Sequence, residues 1–368
     1  MIKNMKKIIL LICLIVVNYS YSQDGKSNYQ KNNSFKLTAS IQNLEDSLWV
    51  GLTKMDRRNF YSEIIDSTMS INGSFKFQGK LISPSEYMID IIDYEKREIK
   101  RLYLWLENSE ITIIGNYNDF ENAQVHGSRL TTLSKDYENI AELYRNQIKR
   151  GEINSNNYKK KLNKKRVDFL FKNLNNSVSL ANFLYFTDNV SKDSLQLFYS
   201  KLDKKFKNSK NGITLKNSFE IEKIKIGNPF IDIEAKDLEG NIVKLSDFKG
   251  RVIVLDFWAY WCHFCHEQNQ EEFPRIKEKY KNEDFTIISY SVDVDKKDWE
   301  KSTKADRIDW INISNLGGIS DKVVTQYGVQ GYPTSFIIDK DGTVLKQING
   351  YVHNVLETEL DKIFSREE

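Results

Sequence analysis

The sequence predicts an α/β domain at the C-terminal end of the chain, a central mixed sheet with helices on both faces, preceded by an antiparallel β-rich domain and a helical segment. Three observations carry this. Beyond Gly227-Asn228-Pro229, strongly apolar runs alternate with stretches of helical spacing. Between residue 35 and about residue 127, short alternating stretches are separated by turn signals such as Asn72-Gly73. From about residue 129 to 221 the spacing is helical and proline is absent. At 368 residues the chain exceeds one ordinary domain, and these shifts divide it into residues 1–22, 23–33, 34–128, 129–222 and 226–368.

Residues 1–22 read as a cleavable signal peptide. Lys3, Lys6 and Lys7 precede the apolar run 8–17, which is short for a membrane span, and Ser20 and Ser22 put small residues where a signal peptidase needs them. The expected location is therefore the periplasm, with membrane anchoring by residues 8–17 if the run is retained. Cys13 lies inside the apolar run behind the bulky Ile12 and does not fit a lipid-attachment site. Residues 23–33 are polar and read as a disordered linker. Of 54 Lys plus Arg, the three in the signal leave with it, and the remaining 51 balance 51 Asp plus Glu. A neutral chain without a basic cluster offers nucleic acid no electrostatic footprint.

Stretches 35–41, 48–53, 74–78, 87–92 and 110–115 suggest an antiparallel β-sandwich or open barrel. The Lys-, Asn-, Leu- and Phe-rich region 129–221 reads as a helical spacer or partner surface. In the last zone, 230–235 and 241–245 form a hairpin around Glu239-Gly240, and 252–258 is a buried central strand. Helical spacing covers 263–280, and 285–292 is a second buried strand. Short helices follow at 297–305 and 319–327, then a hairpin of 334–338 with 344–349 turning at Asp341-Gly342, and a final helix over 354–364.

Cys262 and Cys265 stand where the central strand hands over to the helix. A thiolate at a helix N-terminus gains from the unpaired backbone N–H groups and the dipole there, so the first cysteine of such a pair ionises below the ordinary thiol value. Loss of the signal removes Cys13 and leaves these two thiols, whose loop is too short to stabilise a fold appreciably. Their pairing therefore points to redox function. Cys262 to His266 also satisfies the C-x-x-C-H pattern of covalent haem attachment, but no methionine follows Met88, leaving His353 as the main remote ligand candidate. Zinc held by both cysteines and His266 lacks a distant Cys/His pair to complete its shell. No cofactor and no metal are expected.

Two separated segments carry a family resemblance: Asp256-Phe257-Trp258-Ala259 followed by Trp261-Cys262-His263-Phe264-Cys265, and the run from Tyr327-Gly328-Val329 through Gly331-Tyr332-Pro333-Thr334 to Asp339, with Gly342 at the hairpin. On them, residues 226–366 resemble the thioredoxin superfamily, and in particular the exported TlpA-like branch of thiol-disulfide oxidoreductases. The resemblance implies a thioredoxin-like fold, with Cys262 as nucleophile, Cys265 as resolving thiol and Asp256 as a buried carboxylate that relays the resolving proton. It makes Pro333 a cis-proline rather than a strand-start proline, places Tyr332 and Thr334 beside the substrate, and gives Trp261, His263 and Phe264 to the docking rim. Trp258 fits either that rim or the core.

The sequence departs from the family in three ways. His263-Phe264 replaces the commoner Gly-Pro, and a protonated His263 would stabilise the neighbouring thiolate. Gln268 stands where an acid is usual, with Glu267 and Glu271 nearby, which leaves any cavity acid unassigned. Glu272-Phe273-Pro274 comes about one turn later than its counterpart, implying an extra turn and a kink at Pro274. The function implied is reduction of disulfides in other exported proteins, fed by a membrane electron donor. The alternatives are a disulfide isomerase or oxidant, and a partner-binding envelope protein with an accessory redox domain.

Overall fold

The computed structural model describes residues 33–153 and 155–365. The expected signal peptide, and all of the expected linker but residue 33, lie outside them.

Eight strands open the described chain: β1 Phe35–Gln42, β2 Trp49–Asp56, β3 Tyr61–Met69, β4 Ser74–Gly79, β5 Ser85–Asp93, β6 Glu98–Leu106, β7 Glu110–Asn116 and β8 Gln124–His126. They form two four-stranded sheets, β4-β1-β7-β8 and β3-β2-β5-β6. The alternate residues Leu37, Ala39 and Ile41 of one meet Val50, Leu52, Ile89 and Ile91 of the other in a single core. The arrangement is a sandwich and not a barrel. It is also not wholly antiparallel, because β1 and β7 pair in parallel. The long excursion through β2 to β6 supplies the crossover that a parallel pair requires. β3 was not legible as a strand because nearly every position on it is exposed, so no alternation marks it.

Helices α1 Arg129–Lys149, α2 Ser155–Lys172, α3 Ser177–Phe183, α4 Lys192–Ser200, α5 Lys204–Lys207 and α6 Lys210–Glu220 follow. Ser128, Asn176, Ser191 and Ser209 cap α1, α3, α4 and α6 by accepting a backbone N–H of the first turn. Phe171, Phe183 and Phe198 centre their core, with the rings of Phe183 and Phe198 stacked at 3.7 Å.

The C-terminal part comprises β9 Glu234–Lys236, β10 Ile242–Lys244, β11 Val252–Trp258, α7 His263–Glu267, α8 Phe273–Lys279, β12 Phe285–Ser291, α9 Lys296–Ala305, β13 Ile311–Ile313, α10 Lys322–Tyr327, β14 Thr334–Ile338, β15 Val344–Asn349 and α11 Val355–Phe364. Five strands form the mixed sheet β13-β12-β11-β14-β15, in which β11 runs parallel to β12 and antiparallel to β14. Alternation along β11 sends Ile253, Leu255 and Phe257 to one core with Tyr290, Tyr327 and Phe336. Val252 and Val254 go to another, with Phe273 and Ile276 of α8 and Leu356 and Leu360 of α11. Asp256 shares the parity of Val252 and Val254 and so lies on the α8 side. The helix expected over 263–280 is interrupted: a π-helical turn, Gln268–Glu272, separates α7 from α8. Pro274 sits in the first turn of α8, where its missing N–H costs nothing, so the irregularity comes from the π turn and not from a proline kink.

Candidate active site

Strand β11 is buried along its whole length and ends against the loop 259–261, which delivers Cys262 as the N-cap of α7. Cys262 and Cys265 form a disulfide with Cα atoms 5.2 Å apart. Cys262 is 6% exposed and Cys265 fully buried. The N–H of Cys265 donates to Cys262 Sγ at 3.2 Å, so one unpaired donor of the helix start already faces the outer sulfur. The Tyr332–Pro333 peptide is cis. Among the described residues, the N–H and carbonyl of Tyr332 have no hydrogen-bond partner. Its ring stands edge-on to Trp261 at 5.5 Å.

Asp256, on β11 six residues before Cys262, is fully buried. Its Oδ1 accepts from Ser335 Oγ at 2.8 Å, and Oδ2 has no partner. Burial pushes its carboxyl up to about 7, Glu272 adds to the rise, and the Ser335 hydroxyl opposes it. Glu272, at the end of the π turn, is also buried. Its Oε2 accepts from Gln268 Nε2 at 3.0 Å, its Oε1 is unpaired, and burial raises its carboxyl.

The dithiol loop is braced from a third side. Asp293, just beyond β12, accepts the N–H of Tyr260 at 3.0 Å and the hydroxyl of Ser291 at 2.7 Å, and burial pushes its carboxyl up to about 6. His266 Nε2 lies 2.7 Å from the Tyr260 carbonyl and Nδ1 lies 2.7 Å from Asp306 Oδ2. Both neighbours only accept, so both ring nitrogens donate, and Asp306 raises the imidazole's pKa. A buried disulfide at a strand-to-helix junction, with Trp261 before it in ring contact with the residue preceding a cis-proline and a raised carboxyl on the strand that leads to it, is equipped for dithiol exchange.

Residues 226–347 match the AhpC/TSA family, and residues 35–133 match a domain of unknown function, DUF4369. Over 146 residues the chain is 35% identical to the thiol-disulfide oxidoreductase ResA of Bacillus thuringiensis subsp. konkukian, covering 39% of this chain and 80% of that protein. This chain belongs to the ResA-like thiol-disulfide oxidoreductases. ResA of Bacillus anthracis is 36% identical over 152 residues, covering 38% of this chain and 79% of that protein. Among solved structures, a thiol-disulfide oxidoreductase from Bacteroides fragilis aligns with a TM-score of 0.35 and 26% identity, over 37% of this chain and 99% of that one.

Within this ResA-like frame several sequence expectations need adjustment. Thr334 offers no exposed side chain for docking: it is buried, its hydroxyl donates to the Gly331 carbonyl at 2.8 Å, and its backbone lies in ladders with both Phe257 and Asn349. Trp258 belongs to the core, with its indole N–H on Asn312 Oδ1 at 3.1 Å. His263 is open, its side chain 79% exposed and 3.2 Å from Glu267, and Phe264 is 56% exposed. Trp261 is half-buried between Tyr332 and Phe60, a residue of the N-terminal sandwich. Glu272, seven residues past Cys265, is a buried acid that the sequence does not mark out. It shares a helix face with Gln268 and Asn269, and all three are buried. Both ring nitrogens of His266 are engaged, one by the Tyr260 carbonyl and one by Asp306. Among the described residues no group of three or more His, Cys, Asp or Glu side chains is placed to hold a metal ion.

Proposed function

We propose that this thiol-disulfide oxidoreductase acts as an exported reductase of disulfides in other exported proteins. The observation that carries the reading is the pairing of Cys262, 6% exposed at a helix start, with a fully buried Cys265, at the end of a strand that also carries a buried carboxyl poised near neutral pH. In the reduced enzyme the Cys262 thiolate attacks one sulfur of a substrate disulfide. That S–S bond breaks, a mixed disulfide forms, and the departing sulfur takes a proton. Cys265 then gives its proton to ionised Asp256 and attacks Cys262 Sγ, which expels the second substrate sulfur as a thiolate that takes up a proton. Two electrons have passed to the substrate, and the enzyme is left as the Cys262–Cys265 disulfide. A dithiol donor must return them, and the reading assigns that role to a membrane electron donor.

Docking is supported by the free N–H and carbonyl of Tyr332 beside Pro333, which suit an extended substrate strand, with Trp261, His263 and Phe264 around them. Export to the periplasm is supported by the lysines and apolar run of residues 1–22. The test is capture in the source cell: a Cys265→Ser variant should accumulate mixed disulfides with exported proteins, and a Cys262→Ser variant should not. Direction follows from the equilibrium potential of the couple. A value near about −270 mV supports a reductant, and one above about −180 mV a disulfide donor or isomerase.

A further inference from the structure

The connection between β2 and β3 reaches out of the N-terminal sandwich to the active-site loop. Asn59 is buried although it lies in a turn. Its Oδ1 accepts the N–H of Ile319 at 2.9 Å, and its Nδ2 donates to Asp56 Oδ2 at 2.7 Å, so both ends of the amide are fixed. This close approach depends on Gly318, which sits at φ +73°: a Cβ there would lie 2.1 Å from Asn59 Oδ1. Tyr260 Oη donates to the Phe60 carbonyl at 2.9 Å, and the Phe60 ring lies 4.3 Å from that of Trp261. Phe60 itself is at φ +51°, which a bulky residue rarely adopts unless its surroundings impose it. Lys210 of α6 holds Asp56 at 3.6 Å, so the helical segment braces the same turn.

The turn therefore grips both residues that immediately precede Cys262. On the other side of the nucleophile, His263 and Phe264 are open. We infer that residues 56–61 form a fixed wall of the active site that selects among disulfides, admitting small or extended cystine-bearing chains over the His263–Phe264 side and holding off folded proteins that would need the face of Trp261. This rests on the exchange reading above and adds the class of substrate to it. Selection of this kind comes from a built obstacle and not from an added attraction.

The test uses the full chain, fully reduced beforehand, in single-turnover exchange with a short cystine peptide and with folded insulin. Wild type should reduce the peptide at least about tenfold faster than insulin, and Phe60→Ala should narrow that ratio about fivefold by raising the insulin rate, with the peptide rate within about twofold. Gly318→Ala, which forces the Asn59 contact apart, should act in the same direction. If that variant does not fold, Phe60→Ala decides alone, since Phe60 is 61% exposed. A ratio unmoved by Phe60→Ala, or peptide and insulin rates that change together, overturns the wall. Wild type that reduces neither disulfide refutes the exchange reading itself, and the wall with it.

Discussion

Replacing Asp256 by asparagine separates what this carboxyl does for stability from what it does for catalysis. The side chain is fully buried, one oxygen is unpaired, and its pKa is pushed from 3.8 up to about 7. A rise from 3.8 to about 7 corresponds to ~4 kcal/mol between the two protonation states. The fold holds this proton more tightly than the unfolded chain does. Its contribution is therefore complete below the unfolded value of 3.8 and is lost as pH rises through about 7. Asparagine cannot ionise and escapes that loss. Between pH ~4.5 and ~8, the stability of oxidised Asp256→Asn should rise relative to wild type by about 3 kcal/mol, read from guanidinium denaturation at the two pH values. In single-turnover exchange the same variant should resolve its mixed disulfide ~100-fold more slowly and lose the inflection near neutral pH. Parallel stability profiles would refute the buried, neutral carboxyl. An unchanged resolution rate would refute its part in the proton transfer.

The remaining predictions follow from neighbouring contacts. Glu272→Gln removes the like charge that helps raise Asp256, so the pH profile of resolution should move to lower pH, and an unmoved profile would show that the two carboxyls do not sense each other. His263→Ala should change the reduction potential by less than ~20 mV, because an exposed pair with Glu267 is worth at most ~1 kcal/mol and ~30 mV corresponds to ~1.4 kcal/mol. A larger shift toward reducing potential would mean that the imidazole acts on the thiolate. His266→Phe leaves Asp306 buried without its cation and should cost ~2 kcal/mol in guanidinium denaturation. The imidazole's pKa is raised in the fold, so that cost should be full below the unfolded value of 6.5 and shrink as pH rises through the folded value. A cost equal at pH ~6 and ~9 would refute the charged pair.

What was legible in the sequence was local. Cys262 and Cys265 are two residues apart at the end of an apolar run, and Asp256 lies on that run, so pattern alone puts them at one junction. The burial of Glu272 is not legible because a spacing argument counts in regular turns, and the π turn brings Glu272 to the buried face with Gln268 and Asn269. The burial of Thr334 is hidden from the sequence for a related reason. Adjacency to Pro333 suggests the substrate side, but only sheet order shows that Thr334 already pairs on both flanks. Asp293 and Asp306 carried no motif. Each brace is a contact distant in sequence, 33 residues from Tyr260 and 40 from His266 respectively.

The wall at residues 56–61 was illegible in a stronger sense. Phe60 stands 200 residues before Tyr260, and Asn59 stands 260 before Ile319. No periodicity links positions so far apart, and Asp56-Arg57-Arg58-Asn59 reads as an ordinary polar turn. The contact nevertheless bears on how the chain is to be understood. If the N-terminal sandwich were a detachable accessory, its nearest approach to the dithiol would be an exposed and loosely paired surface. Instead a buried amide, a backbone acceptor and an aromatic ring converge on the two residues beside Cys262. Cutting the chain before the C-terminal part would uncover the Trp261 face and leave the Ile319 N–H without its acceptor, while the disulfide, Asp256 and Pro333 stayed in place. Kinetics of such a fragment would report the chemistry of the dithiol, and the choice of substrate would have been removed with the wall.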